Sequence, residues 1–323
     1  KTKLFRAFLA TLLAAFAQAA PAVFDPVNDD TDIFLANPSF DAIRPNVLIL
    51  LDNTANWNAP FDTEKAALIS VFNGLNDSYN VGLAMFVETG GSNDSVDGGY
   101  IRFGIRQMTT TNKNALASSV FGLDRIGDRS NNAVPSLAMG ELYRYFAGVT
   151  SVSGKGKVKR DYAGNATNNP AAAGLTPNPF ASAASTTYVS PITDPCQKNF
   201  IIFISNGTST VNADNSATES YLATLKGATP TQIQLNPSGS EADWSDEYAE
   251  FMSNSDCNPT LDGVQNVYTY TIDILPTTQN QELQHTALLR SMAAKGKGKY
   301  FAVTDMTTTS QFEGILKTIF QEV

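Results

Sequence analysis

The sequence predicts an α/β protein built on a doubly wound, mostly parallel sheet with one antiparallel edge strand. Three observations predict it. Two apolar runs, VLILL at 47–51 and FIIFI at 200–204, have no polar alternation, as befits parallel strands covered on both faces. Strand-like and helix-like segments alternate along most of the chain. One Gly/Asn/Asp/Ser-rich turn, at 89–99, joins two neighbouring strand-like runs into a hairpin.

The elements follow in order. After the strand at 46–51, an amphipathic pattern at 61–75 (Ala66, Leu68, Ile69, Phe72, Leu75) reads as a helix. The hairpin strands lie at 81–87 and 100–108. Helical patterns follow at 111–121 and 134–146, the second with Leu137, Leu142, Tyr145 and Phe146 on one face. The segment 150–195 is rich in Ala, Ser, Thr, Asn, Pro and Gly and poor in large apolar groups. It buries too little to offset ordering entropy and is expected to be an exposed, flexible insertion. The strand at 200–205 precedes a helix near 214–226. In 241–253, Trp244, Tyr248 and Phe251 fall at i, i+4 and i+7, a helical core face. A strand at 267–275, a helix at 280–294, a turn through Gly296 and Gly298, a strand at 300–303 and a helix from Ser310 complete the series.

Composition narrows the function. At 323 residues with 42% hydrophobic content, the chain can bury a large core. A net charge of -9 and a pI near 4.7 argue against nucleic acid or an anionic membrane as partner. Lys1, Lys3 and Arg6 precede an apolar stretch at 7–17 that ends in Ala17-Gln18-Ala19, the pattern of a secretory signal peptide cut after Ala19. That stretch is too short to span a bilayer, and no later segment approaches the length required. The expected organisation is a signal peptide at 1–19, a linker at 20–45 and one domain at 46–323. Export places Cys196 and Cys257 where they can pair as a disulfide, with two free thiols as the alternative.

The strand at 46–51 runs into Asp52, Thr54 and Asn56, oxygen-bearing side chains at every second position. Such a loop can aim three oxygens at a hard divalent cation, or it can be an Asx-type turn after a strand. In open α/β sheets ligands gather outside the carboxyl ends of the strands. The second buried strand also ends in an oxygen-bearing set, Asn206-Gly207-Thr208.

Enzymatic motifs are lacking. The single histidine, His285, sits on the 280–294 helix, apart in pattern from these loops, and reads as a surface or boundary residue. Gly154-Lys155-Gly156-Lys157 lacks the spacing and preceding strand of a phosphate loop, and no His/Cys cluster has zinc spacing. The reading is of a non-enzyme.

The ordered phrases RPNVLILLDNTANWN, NNAVPSLAMGELYRYFAG, CQKNFIIFISNGTST, DEYAEFM, NVYTYTIDIL and LLRSMAAKGKGKYFAV resemble a von Willebrand factor A domain. Within that superfamily they resemble the N-terminal region of type IV pilus tip adhesins and assembly factors of the PilY family, which usually continue into a large β-propeller. The resemblance implies a metal-ion-dependent adhesion site with Asp52, Thr54 and Asn56 on its first loop. Ser130, or one of Asn131 and Asn132, stands in for the second-loop Thr, and Asn206 for the third-loop Asp. Losing that carboxylate implies that one Mg²⁺ or Ca²⁺ is bound weakly or not at all, with Asp128 able to restore charge if its loop folds inward. The implied function is surface or ligand binding with support of pilus biogenesis, after export to the periplasm and then the cell surface or pilus tip. Minor pilins or other pilus components, and a host or abiotic surface ligand, are the implied partners. The alternative is an assembly scaffold contacting minor pilins, with a degenerate, metal-free site.

Overall fold

Asparagine at the head of three strands aligns the sheet. Asn46 Nδ2 donates to Asn199 Oδ1 at 3.0 Å, and Asn80 Nδ2 donates to Asn46 Oδ1 at 3.0 Å. Buried amides are costly unless paired, so a one-residue slip of any of these strands breaks the ladder as well as reversing its faces. The computed structural model describes residues 43–54, 59–87, 98–123, 125, 128–130, 134–154, 176–182, 184–205, 207, 216–277 and 280–323. The predicted signal peptide and most of the linker therefore lie outside the described residues.

Among the described residues the elements are β1 (Asn46–Leu51), α1 (Ala59–Gly74), β2 (Asn80–Phe86), β3 (Gly99–Gln107), α2 (Thr110–Phe121), α3 (Pro135–Ala147), β4 (Asn199–Ser205), α4 (Ser216–Lys226), α5 (Ser245–Asn254), β5 (Val267–Ile274), α6 (Asn280–Lys295), β6 (Lys297–Val303) and α7 (Ser310–Glu322). The sheet order is β3-β2-β1-β4-β5-β6. All pairs are parallel except β2 with β3, which closes one edge as an antiparallel hairpin. This is the doubly wound, mostly parallel α/β fold with one antiparallel edge strand that the sequence predicts.

The alternation of β1 divides the core in two. Val47, Ile49 and Leu51 pack with Phe61, Phe72, Leu116, Phe312 and Leu316 from α1, α2 and α7. Leu48 and Leu50 pack with Leu142, Phe146, Leu222, Tyr248 and Leu288 from α3, α4, α5 and α6. Each fully buried side chain of this size contributes about 1.5–3 kcal/mol, which is why β1 can be apolar on both faces. On β2, a Cβ at Gly82 would lie 2.8 Å from Ile105 and 2.9 Å from the Phe103 carbonyl, so glycine permits the irregular pairing with β3 there. Helix α3 begins with Pro135, whose missing N–H costs nothing at that position, and stops at Gly148 in the left-handed region (φ 66°).

Two expectations are corrected. Residues 241–253 are not one helix: a 3₁₀ turn at Glu241–Asp243 is separated from α5 by Trp244 at φ 51°. The described ends of the 150–195 segment are packed rather than exposed throughout. Phe180, Tyr188 and Ile192 are buried, and Phe180 stacks on Tyr188 at 4.6 Å. The Glu141 carboxylate of α3 anchors both ends, accepting from Tyr188 Oη (2.7 Å), Ser151 Oγ (2.5 Å) and the amides of Val152, Ser153 and Gly154. A few well-placed aromatics and one carboxylate outweigh a composition that reads as unstructured. No helix among the described residues is long and apolar enough to cross a membrane.

Candidate functional site

The register that the asparagine ladder sets at one end of the sheet determines what meets at the other. β1 and β4 pair from Asn46 with Asn199 to Leu51 with Ile204, which brings the next two residues, Asp52 and Ser205, side by side. The Asp52 amide still donates to the Ile204 carbonyl at 2.9 Å. Its carboxylate, 1% exposed, accepts the Thr54 amide at Oδ1 (3.0 Å) and the Ser205 hydroxyl at Oδ2 (3.2 Å). The first bond is an Asx turn; the second ties two strands together. The chain passes from β1 to β2 on one side, while β4 lies on the other, so Asp52 and Ser205 stand at the topological switch point where open α/β sheets bind ligands. The loop after β1 carries no glycine fingerprint for a dinucleotide.

Asn53 is a site residue that the alternating pattern of the loop hid. Its Oδ1 accepts the Phe86 amide (2.8 Å), and its Nδ2 donates to the carbonyls of Phe86 (3.1 Å) and Asp128 (2.8 Å). The Asn53 carbonyl accepts the Ser130 amide at 2.6 Å. One amide thus joins the loop after β1 to the end of β2 and to the 128–130 loop. Ser130, the candidate on the second loop, is brought to this end of the sheet and fully buried, but its hydroxyl donates to the Val87 carbonyl at 2.7 Å. Asp128 does not serve as a spare carboxylate: Arg102 of β3 approaches it, Nη1 to Oδ1, at 3.2 Å.

His285 corrects the expectation of a surface or boundary residue remote from the loops. It is buried on α6, and its Nε2 lies 2.8 Å from Ser205 Oγ. The Ser205 proton is directed to Asp52 Oδ2 or to the Gly207 carbonyl at 3.3 Å. Nε2 must then carry the hydrogen that Ser205 Oγ accepts, which leaves Nδ1 as an acceptor. Nδ1 has no hydrogen-bond partner among the described residues. Burial pulls the imidazole down to about 4, so it is neutral at ordinary pH. A cavity of about 40 Å³, lined by His285, Glu282, Asp273, Thr286 and Gly207, adjoins it. The Asp273 carboxyl there is raised by burial and accepts from Thr286 Oγ1 (2.7 Å) and Tyr300 Oη (3.1 Å). The signal that could have placed His285 is its spacing from Leu288 and Leu289, at i+3 and i+4 on the buried face.

Asn56 and Asn206, like Asn131 and Asn132, lie outside the described residues. Thr54 is buried at the turn with its amide committed to Asp52. The expected disulfide is not formed in the structure: Cys196 is an exposed free thiol, and Cys257 a buried one. Cys257 Sγ donates to the Met252 carbonyl at 3.5 Å, and burial pushes its thiol up to about 12.

The cation implied by the resemblance can be tested against these donors. Among the described residues no three His, Cys, Asp or Glu side chains are grouped so as to hold a metal ion. The Asp52 oxygens are engaged by Thr54 and Ser205, the Asp128 charge by Arg102, and the Ser130 proton by Val87. A hard dication wants several oxygens and a high count of carboxylates. The described donor set does not fit one.

The chain matches no family model and no curated protein sequence. Among solved structures it is similar to a von Willebrand factor type A protein from Catenulispora acidiphila (9% identity, 84% of this chain and 41% of that one, TM-score 0.42). It is also similar to the PilB minor pilin from Streptococcus sanguinis (8% identity, 86% of this chain and 61% of that one, TM-score 0.43). A third is the pilus adhesin SpaC from Lactobacillus rhamnosus GG (6% identity, 85% of this chain and 30% of that one, TM-score 0.44). This chain spans less than two thirds of the length of each of the three. At these identities no residue's role is carried over.

Proposed function

We propose that this chain is the von Willebrand factor A-like module of a type IV pilus-associated tip adhesin, which binds surfaces or ligands at the carboxyl-end face of its sheet and supports pilus biogenesis. The observation that carries the site is the Asp52–Ser205 bond at the switch point between β1 and β4. The six ordered phrases supply the pilus context and, with the N-terminal basic and apolar stretch, a route through the periplasm to the cell surface or pilus tip. In this reading minor pilins or other pilus components are partners, and any Mg²⁺ or Ca²⁺ is bound weakly or not at all.

The same face offers contact area. An open groove of about 430 Å³ runs between Pro60 and Thr63 of α1 and the chain ends after β5 and β6 at Leu275 and Met306. Leu275 is left-handed (φ 52°) with its side chain 37% exposed. That backbone costs roughly 1–2 kcal/mol in a residue other than glycine. An exposed apolar side chain held in strain at a groove is what a recognition surface needs.

The serine, histidine and aspartate at the site support a non-enzymatic reading despite their identities. A nucleophilic triad sets the carboxylate against the histidine, which then activates an accessible serine. Here the carboxylate meets the serine, and Ser205 is fully buried.

The competing assembly-scaffold reading is separated by deleting the gene in a piliated host. Counting surface pili and adherent cells distinguishes the two: pili retained with adherence lost supports adhesion, whereas loss of pili supports assembly.

A further inference from the structure

A dication held by strand-end loops balances the carboxylates gathered there and cross-links loops that would otherwise separate. In this chain side chains perform both tasks. Charge on the second loop is balanced by Arg102, 5% exposed, with Nη1 3.2 Å from Asp128 Oδ1. Cross-linking falls to Asn53, which bonds the ends of β1 and β2 and the 128–130 loop. The Asp52 carboxylate is oriented by Thr54 on one oxygen and Ser205 on the other, and Ser205 is itself fixed by His285 at 2.8 Å. A guanidinium on β3 carries its charge permanently, and a buried neutral imidazole beside Ser205 leaves the hydroxyl proton for Asp52.

We propose that the Asp52 site is built to work without a divalent cation, with Arg102 balancing the Asp128 carboxylate on the adjoining loop and Ser205 and His285 as positioning residues for the Asp52 carboxylate. A metal-bearing site captures an acidic group of its ligand by completing the metal's coordination. A site of the present kind captures its ligand through hydrogen bonds and shape, so its binding resists chelators. The inference stands on the geometry of the loops and not on the pilus reading, and either can fail without the other.

The test is the melting temperature of the full chain in EDTA and in millimolar Mg²⁺, Ca²⁺ or Mn²⁺. The wild type is expected to melt at the same temperature in all four. Arg102→Gln takes the guanidinium from Asp128 and Ser205→Ala takes one donor from Asp52 Oδ2, so each variant is expected to melt lower in EDTA and to recover with divalent cation. Arg102→Lys, which keeps the charge, should stay insensitive. A merely structural role for these residues would lower the melting point without creating a cation response. A rise in the wild-type melting temperature with cation that Asp52→Asn abolishes overturns the proposal, as do folded Arg102→Gln and Ser205→Ala proteins that ignore cations. Should the variants not fold, paramagnetic Mn²⁺ added to the wild type decides: no localised NMR broadening is expected, and broadening centred on Asp52, Thr54 and Ser205 overturns it.

Discussion

Asp52 and Ser205, 153 positions apart in the chain, are joined by a hydrogen bond of 3.2 Å across the ends of two parallel strands. Neither position is informative alone. The bond follows from the β1–β4 register, which the Asn46–Asn199 contact sets at the opposite end of the sheet. Replacing Ser205 with alanine removes a donor from a buried carboxylate, which costs about 1–3 kcal/mol. Urea denaturation should show that loss in midpoint at an unchanged slope; an unchanged midpoint would mean that the bond contributes nothing.

Asn53 makes three hydrogen bonds through one amide. Asn53→Ala leaves the Phe86 amide and two carbonyls without that partner, so a loss of about 1–3 kcal/mol is expected. Hydrogen exchange gives a local readout: protection at Phe86 and Ser130 should fall together, because Asn53 joins their two segments. Faster exchange at one and not at the other would contradict a shared clamp.

Stability should fall as pH rises above neutrality. Asp243 is fully buried, and burial pushes its carboxyl up to about 8, an effect that the Ser245 hydroxyl offsets only in part. Its ordinary value is near 4. The native state therefore keeps a proton that the unfolded chain releases, and stability declines from about pH 4 until the decline ends near pH 8. Glu247, raised by burial and by the adjacent Asp246, acts in the same direction. His285 opposes them between about pH 4 and 6.5, where the unfolded chain alone takes up a proton and stability rises with pH. Above pH 6.5 the histidine has nothing further to add. Asp243→Asn should raise stability at pH 8 by roughly 1–3 kcal/mol and flatten the alkaline slope. A melting-temperature profile that is level from pH 6.5 to 9 in the wild type would rule this out.

The two cysteines should differ in reactivity. Cys196 is exposed, while Cys257 is buried with a raised thiol, and thiolate availability governs alkylation. Maleimide on the native protein should label Cys196 alone, and both after unfolding. Protein purified from an oxidising compartment that shows a Cys196–Cys257 bridge by non-reducing mass spectrometry would contradict the free-thiol arrangement.

The scaffold was legible wherever local pattern and tertiary role coincide. Residues 47–51 and 200–204 are apolar without alternation because both faces of β1 and β4 are covered, and that needs no knowledge of partners. The site was legible only in part. Asp52 and Thr54 announce themselves by spacing, but the same spacing passes over Asn53, whose work lies in contacts with β2 and the 128–130 loop. His285 meets Ser205 from 80 positions away, a relation that no local window contains. Trp244 fits a helical stripe, yet its left-handed backbone breaks the helix there. The 150–195 segment misleads because Phe180, Tyr188 and Glu141 concentrate in few residues what composition averages away.

Recognition at the switch point centres on Asp52. The decisive measurement is adherence of piliated cells expressing the Asp52→Asn chain, at surface levels and pilus counts matched to wild type. Asparagine keeps the size of the side chain and one acceptor oxygen, enough for the Thr54 amide, while removing the charge and the second oxygen; the Ser205 hydroxyl retains the Gly207 carbonyl as acceptor. Pili are expected to persist and adherence to drop well below wild type. Undiminished adherence at equal piliation would contradict a recognition site at the switch point between β1 and β4.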